Sequence, residues 1–136
     1  TRLMAETIAE GITTKAPTVA VKLYNIARSD KNNVITEVFK AKAVLVGSPT
    51  INRGILSAVA GILEEMRGLG FKNKKAAAFG AYGWSGESVK MITDRLKEGG
   101  FEIINEGLKE KWNPDTDALK NCFDFGQQVV AAVGKN

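Results

Sequence analysis

The 136-residue sequence has no histidine and a single cysteine, Cys122. Without histidine there can be no Ser-His-Asp triad, no Cys-His pair and no zinc site of the usual His/Cys kind. A lone cysteine cannot close an internal disulfide, so nothing points to an oxidising compartment. No apolar run approaches the roughly 20 residues of a membrane helix, and the first residues do not read as a signal peptide. The expected setting is cytoplasmic, with no membrane contact. Any chemistry is expected to come from a bound cofactor, from carboxylates with lysines, or from a partner.

What is present is the composition of one globular domain, 44% hydrophobic and 25% charged. The net charge is +4, from 19 basic and 15 acidic residues. The densest basic run, Lys72-Asn73-Lys74-Lys75, lacks the aromatic interleaving of a nucleic-acid surface and reads as a solvated loop before a strand. Nucleic acid is therefore not an expected partner.

Helical and strand patterns alternate along the chain. Met4, Ile8 and Ile12 recur every four residues, giving a helix over 1–15 with Thr1 as N-cap and Gly11 near its end. Residues 18–24 alternate and predict a strand. Ser29 and Asp30 lead into a short helix carrying Val34, Ile35, Val38 and Phe39. Ala43-Val44-Leu45-Val46-Gly47 is a continuous apolar run, the mark of a strand buried on both faces. After a loop over 48–54, Ile55, Leu56, Val59, Ile62, Leu63 and Met66 define a helix closing at Gly68.

The pattern then repeats. Residues 75–80 form a second buried strand, a Gly- and aromatic-rich loop covers 81–86, and Val89, Ile92 and Leu96 mark a helix stopping at Gly99-Gly100. Residues 101–104 and 108–112 predict a broken strand. Pro114 opens a last helix with Leu119, Cys122, Phe123, Gly126, Val129, Val130 and Val133 on one side. On that apolar face Cys122 reads as a core residue. The alternation predicts an α/β domain with a parallel sheet and helices on both faces. Doubly wound domains open with a strand and this chain opens with a helix. The expectation is an N-terminally incomplete domain over 1–136, lacking a first, central strand.

In open parallel sheets ligands bind beyond the carboxyl ends of the strands. Three stretches fall there: the helix start at Thr1, the loop from Ser48 to Gly54, and Ala81-Tyr82-Gly83-Trp84-Ser85-Gly86. A helix N-terminus with a hydroxyl suits phosphate, though Thr1 reads equally as a plain cap. The two loops offer short polar side chains, glycines and aromatics. A flat, phosphorylated cofactor fits that set.

Gly47-Ser48-Pro49-Thr50-Ile51-Asn52, coupled to Ala78-Phe79-Gly80-Ala81-Tyr82-Gly83-Trp84-Ser85-Gly86, resembles the flavodoxin-like domain of flavodiiron proteins (A-type flavoproteins, the flavorubredoxin group). Thr1 with Met4-Ala5 and Ile8-Ala9-Glu10-Gly11 is similar to the end of that family's phosphate loop and its first helix. The segment 21–39 and Trp112-Asn113-Pro114 are similar as well, so the resemblance covers nearly the whole chain.

The resemblance implies a flavodoxin-like three-layer fold that binds FMN non-covalently, with most of the phosphate loop upstream of Thr1 absent. Thr1, Ser48, Pro49, Thr50, Ile51, Asn52, Ala81, Tyr82, Gly83, Trp84, Ser85 and Gly86 are its expected FMN contacts. Thr50 and Asn52 bond the flavin edge, Ile51 covers the ring, and Tyr82 and Trp84 stack on it. Arg53 is placed to steady a reduced, anionic ring. It further implies electron transfer from a rubredoxin-type donor to a diiron centre that reduces oxygen or nitric oxide. That centre sits in a separate metallo-β-lactamase-like domain of a parent that dimerises head-to-tail. Donor docking near residues 72–75 is a further expectation. No catalytic or metal-binding residue is expected in this chain. The rivals are a quinone reductase or free flavodoxin of the same fold, and a receiver-like module. The last is disfavoured because its strand should end in Asp, where this one ends in Gly47-Ser48-Pro49.

Overall fold

The computed structural model of the chain describes residues 1–51, 54–83, 86–111 and 115–134. The elements are α1 (Arg2–Lys15), α2 (Lys31–Lys40), β1 (Ala43–Gly47), α3 (Ser57–Leu69), β2 (Lys75–Tyr82), α4 (Glu87–Glu98), β3 (Glu102–Ile103), β4 (Leu108–Lys111) and α5 (Thr116–Val133). A single 3-10 turn, Ile26–Arg28, precedes α2. Two helix starts carry a side-chain cap, Asp30 where the sequence places a helix start and Asp115 in addition to it. The Asp30 carboxylate accepts from the Asn32 N–H at α2, and Asp115 from the Ala118 N–H at α5.

Among the described residues the four strands pair in parallel. β1 lies on one side of β2, with Gly47 opposite Phe79, and the two pieces of the predicted broken strand, β3 and β4, lie on the other. The break between them holds Gly107, whose φ of 91° and closeness to the Ala78 carbonyl suit only glycine. Its N–H is held by the Asn105 side chain at 2.8 Å.

β2 shows how small residues make three layers. Ala76 and Ala78 face a core built with α2, α3 and α4, including Val59, Ile62, Leu63, Ile92 and Leu96. Ala77, Phe79 and Ala81 face the other core, with Met4, Ile8, Cys122, Phe125 and Val129 of α1 and α5. Period-two alternation thus feeds two helix layers from one strand. Methyl-sized side chains let both layers approach.

Five expectations are corrected. The second strand does not stop at residue 80: Ala81 and Tyr82, expected in the following loop, continue β2 because both pair with β4. Residues 18–24 form no strand: no ladder partner lies beside them among the described residues, and alternation supplies a face but not a neighbour. Val19 and Leu23 are half-exposed, and the segment is tied down by Lys22 bonding Glu37 at 2.9 Å. β1 contributes side chains to both cores, yet only Val46 is fully buried, because β1 pairs on one edge alone. α3 runs through Gly68 to Leu69 and closes at Gly70 in the left-handed conformation. Gly11 is not near a helix end; it sits inside α1 against the backbone of Phe123.

The basic run also has a structural occupation. The Lys74 ammonium donates to the carbonyls of Phe39 (2.8 Å) and Ala41 (2.7 Å), closing α2. Lys75 donates to the Ala132 carbonyl at 2.7 Å, closing α5. Cations at helix carboxyl ends satisfy orphan carbonyls and oppose the dipole. This run begins β2 and so lies at the end of the sheet away from Tyr82, about 23 Å along the strand at 3.3 Å per residue.

Cys122 has no solvent exposure. Burial, and secondarily the Glu110 carboxylate, push its thiol from 9.0 up to about 11. A value raised by folding favours the protonated form, so its stabilising contribution is complete below about pH 9 and lost as pH rises through 11. A rise of that size corresponds to roughly 2–3 kcal/mol. Urea denaturation of the wild type should therefore weaken from pH 9 to 11 more steeply than that of Cys122→Ala. Parallel pH profiles would refute this.

Candidate functional site

β1 stops at Gly47, opposite Phe79, while β2 runs on to Tyr82, and hydrogen bonds between the two continue into the loop after β1. The Ser48 N–H donates to the Phe79 carbonyl (3.2 Å) and the Thr50 N–H to the Ala81 carbonyl (3.0 Å). The peptide groups of Ile51 and Gly54 exchange two bonds, at 3.0 and 2.7 Å. The Ser48 hydroxyl is wholly buried; it donates to the Pro49 carbonyl (2.8 Å) and accepts from the Leu56 N–H (3.1 Å). Ser48 thus fixes the loop through its side chain and faces a ligand only with its backbone.

Thr50 joins the two loops. Its hydroxyl accepts from the Ser88 N–H at 3.1 Å, in the first turn of α4 directly beyond the second loop. One of the helix's orphan N–H groups is thereby satisfied from another element. The hydroxyl keeps its own proton free to donate outward. Ile51 is 42% exposed at the loop's crest, as a residue meant to cover a ring should be. Across the site Ala81 is buried, Tyr82 and Gly86 are half-buried, and Gly83 is open. Asn52, Arg53, Trp84, Ser85 and Trp112 lie outside the described residues.

Gly80 sits under both loops. A Cβ there would overlap the Ser48 carbonyl oxygen and come within 2.7 Å of the Ser88 hydroxyl. Sequence reading took Gly80 only as a strand end and passed over Ser88, since both roles depend on which backbones meet. The small-residue run before the loop was the one available hint.

Thr1 begins α1. β4 runs parallel to β2 with Lys111 opposite Tyr82, so α5, which follows it, starts at the same end of the sheet. The start of α1 packs at this end as well, with Met4 sharing a core with Cys122 of the second turn of α5. The Thr1 Oγ1 is buried and has no hydrogen-bond partner among the described residues, and it makes no cap bond to α1. A buried hydroxyl without a partner carries a desolvation cost, which an anion accepting from it and from the first N–H groups of α1 would remove.

The fold and these three stretches define a doubly wound α/β domain whose loops gather at the carboxyl ends of its strands. The flavodoxin family model matches residues 1–126, and the chain belongs to that family. It is 51% identical over 130 residues to the anaerobic nitric oxide reductase flavorubredoxin of Escherichia coli strain K12, covering 96% of this chain and 27% of that protein. It superposes on the rubredoxin oxygen:oxidoreductase of Desulfovibrio gigas with a TM-score of 0.93 and 35% identity, over 98% of this chain and 33% of the other. A flavodoxin from the domain Archaea matches with a TM-score of 0.87 and 29% identity, over 98% of this chain and 90% of its own. The chain thus spans about a quarter of the length of the curated relatives it matches.

The chain is the flavodoxin-like domain of the flavorubredoxin and flavodiiron group, and FMN is the cofactor of its family. The residues fit that cofactor. The unpartnered Thr1 hydroxyl suits the phosphate, while a rigid pair of loops with an exposed Ile51 and a half-buried Tyr82 suits the ring.

Proposed function

We propose that this domain relays electrons through FMN from a rubredoxin-type donor to a diiron centre carried elsewhere in a longer protein, where oxygen or nitric oxide is reduced. The single observation that carries the reading is 51% identity with a flavorubredoxin across 96% of this chain. The absence of histidine supports it, because iron ligands of the expected kind must then lie outside these residues. A head-to-tail dimer of the parent and a cytoplasmic setting belong to the same proposal.

In this reading Thr1 Oγ1 and the first N–H groups of α1 donate to the phosphate. The peptide groups of 48–51 and 81–83 meet the polar edge of the ring, joined by Asn52 on the first loop. Ile51, Tyr82 and Trp84 exclude water from its faces, and Ser85 and Gly86 complete the second loop. The Ser48 and Thr50 bonds hold the two loops at fixed separation, so binding orders little new structure. FMN supplies the redox chemistry, accepting and releasing one or two electrons. No side chain acts as nucleophile or general base.

Donor docking near residues 72–75 belongs to the same proposal; Lys74 and Lys75 there also close α2 and α5.

The test is a fluorescence titration of the protein of full natural length with FMN and with riboflavin, repeated for Thr1→Val. Stoichiometric quenching by FMN, and a roughly tenfold loss for FMN alone in Thr1→Val, are expected from one lost charge-assisted hydrogen bond. Equal binding of FMN and riboflavin by the wild type would remove Thr1 from the phosphate site, and no quenching by either in a folded sample would overturn the flavin reading. Rapid reduction by NAD(P)H with no protein donor would favour the quinone-reductase alternative.

A further inference from the structure

We infer that Lys109 is a positioning residue that raises the affinity of this site for the reduced, anionic flavin over the oxidised one, an inference that rests on the FMN reading above.

Parallel pairing puts Lys109 opposite Gly80 and Lys111 opposite Tyr82, so both lysines stand at the carboxyl end of the central strand on one face. Glu110, between them, points to the other face, where it accepts from the Asn121 amide at 2.9 Å. The lysine face is the one that carries α4 and the 81–86 loop. Lys109 lies against that loop: its Cδ is 3.0 Å from where a Cβ on Gly86 would stand. Gly86, flanking the ring site, therefore leaves the lysine stem room to cross the base of the loop. The residue stays exposed, so the ammonium emerges at the rim.

Among the described residues Lys109 has no ion pair or side-chain hydrogen bond, whereas Lys22, Lys31, Lys74, Lys75 and Lys90 are each engaged with a named partner. Among the described residues, Lys111, of the same sign, stands two positions along the same face, and Glu87 lies in the first turn of α4 with a buried carboxylate oxygen. A cation at this rim with no carboxylate bonded to it acts on charge that arises in the site.

Such charge arises on reduction. Two electrons from a reductant and one proton from solvent convert the neutral flavin ring into an anion. A single ammonium at the edge of the site favours that state by an amount set by its distance and the dielectric of a half-open cleft. The Gly80 and Thr50 contacts shape the site for both redox states; Lys109 discriminates between them.

The experiment measures dissociation constants for oxidised FMN and, anaerobically with a chemical reductant, for reduced FMN on the protein of full natural length. Lys109→Met keeps the stem and deletes the charge. It should weaken reduced FMN roughly fivefold to tenfold while leaving oxidised FMN within twofold. A tenfold change in that ratio is a potential about 30 mV lower for a two-electron couple. Lys109→Arg should restore the ratio, and Lys72→Met, the same charge removed from the far end of the sheet, should not move it. An unchanged ratio in Lys109→Met, or equal weakening of both states, overturns the inference while FMN binding stands. Absence of FMN binding by the wild type overturns the FMN reading itself and the inference with it.

Discussion

Gly126→Ala is expected to destabilise the protein by about 2–4 kcal/mol, although alanine is the better helix former by roughly 1 kcal/mol. α1 and α5 cross in backbone contact. A Cβ on Gly126 would overlap the Ile8 carbonyl oxygen and stand 3.1 Å from the Ile12 nitrogen, and a Cβ on Gly11 would overlap the Phe123 carbonyl oxygen. Backbone cannot rotate away as a side chain can, so the helices must separate. Separation opens gaps among Met4, Ile8, Cys122, Phe125 and Val129, which interdigitate at that crossing. Gly11→Ala should cost a similar amount. The double variant should cost less than the sum, because the first methyl already moves the helices apart. Urea denaturation of the three variants decides it, and a neutral or stabilising Gly126→Ala would show that the helices are not in contact there.

Gly80→Ala is expected to damage the site more than the fold. The new methyl would strike the Ser48 carbonyl oxygen, so the 48–51 loop must shift away from β2. Three bonds then suffer together: Ser48 to Phe79, Thr50 to Ala81, and Ser88 to Thr50. Because those bonds set the spacing of the two ring-binding loops, FMN affinity should fall by roughly tenfold to a hundredfold, or about 1.4–3 kcal/mol. Stability should fall by a comparable 1–3 kcal/mol, the usual cost of overpacking. Ser88→Gly tests the geometry, since it relieves one of the two contacts. Gly80→Ala with Ser88→Gly should recover part of the affinity if that hydroxyl is in the way. An affinity within twofold of wild type in Gly80→Ala would mean that Gly80 does not set the loop spacing.

Much of the fold was legible in the chain because its signals are local. Helix periodicity placed α1 through Met4, Ile8 and Ile12, and Asp30 and the Gly99-Gly100 pair marked helix ends through backbone chemistry that does not depend on a partner. The site was legible at the level of segments. Ser48, Thr50 and Tyr82 do lie at one end of the sheet, because a parallel strand must deliver its following loop there.

Tertiary structure alone decided what depends on a second piece of chain. Residues 18–24 alternate like a strand, but a strand exists only where a neighbour completes its ladder. Gly11 looked like a helix terminator and is a contact point, since its role is set by Phe123 more than 100 residues away. Lys74 and Lys75 read as solvated charge and are helix caps, because the carbonyls they meet belong to α2 and α5. Ser48 and Thr50 carry hydroxyls whose partners, Leu56 and Ser88, are chosen by folding and not by spacing. Propensity and periodicity are properties of a segment and are written in its residues. Register, close approach and the partner of a polar group are properties of pairs, and those exist only once the chain has packed.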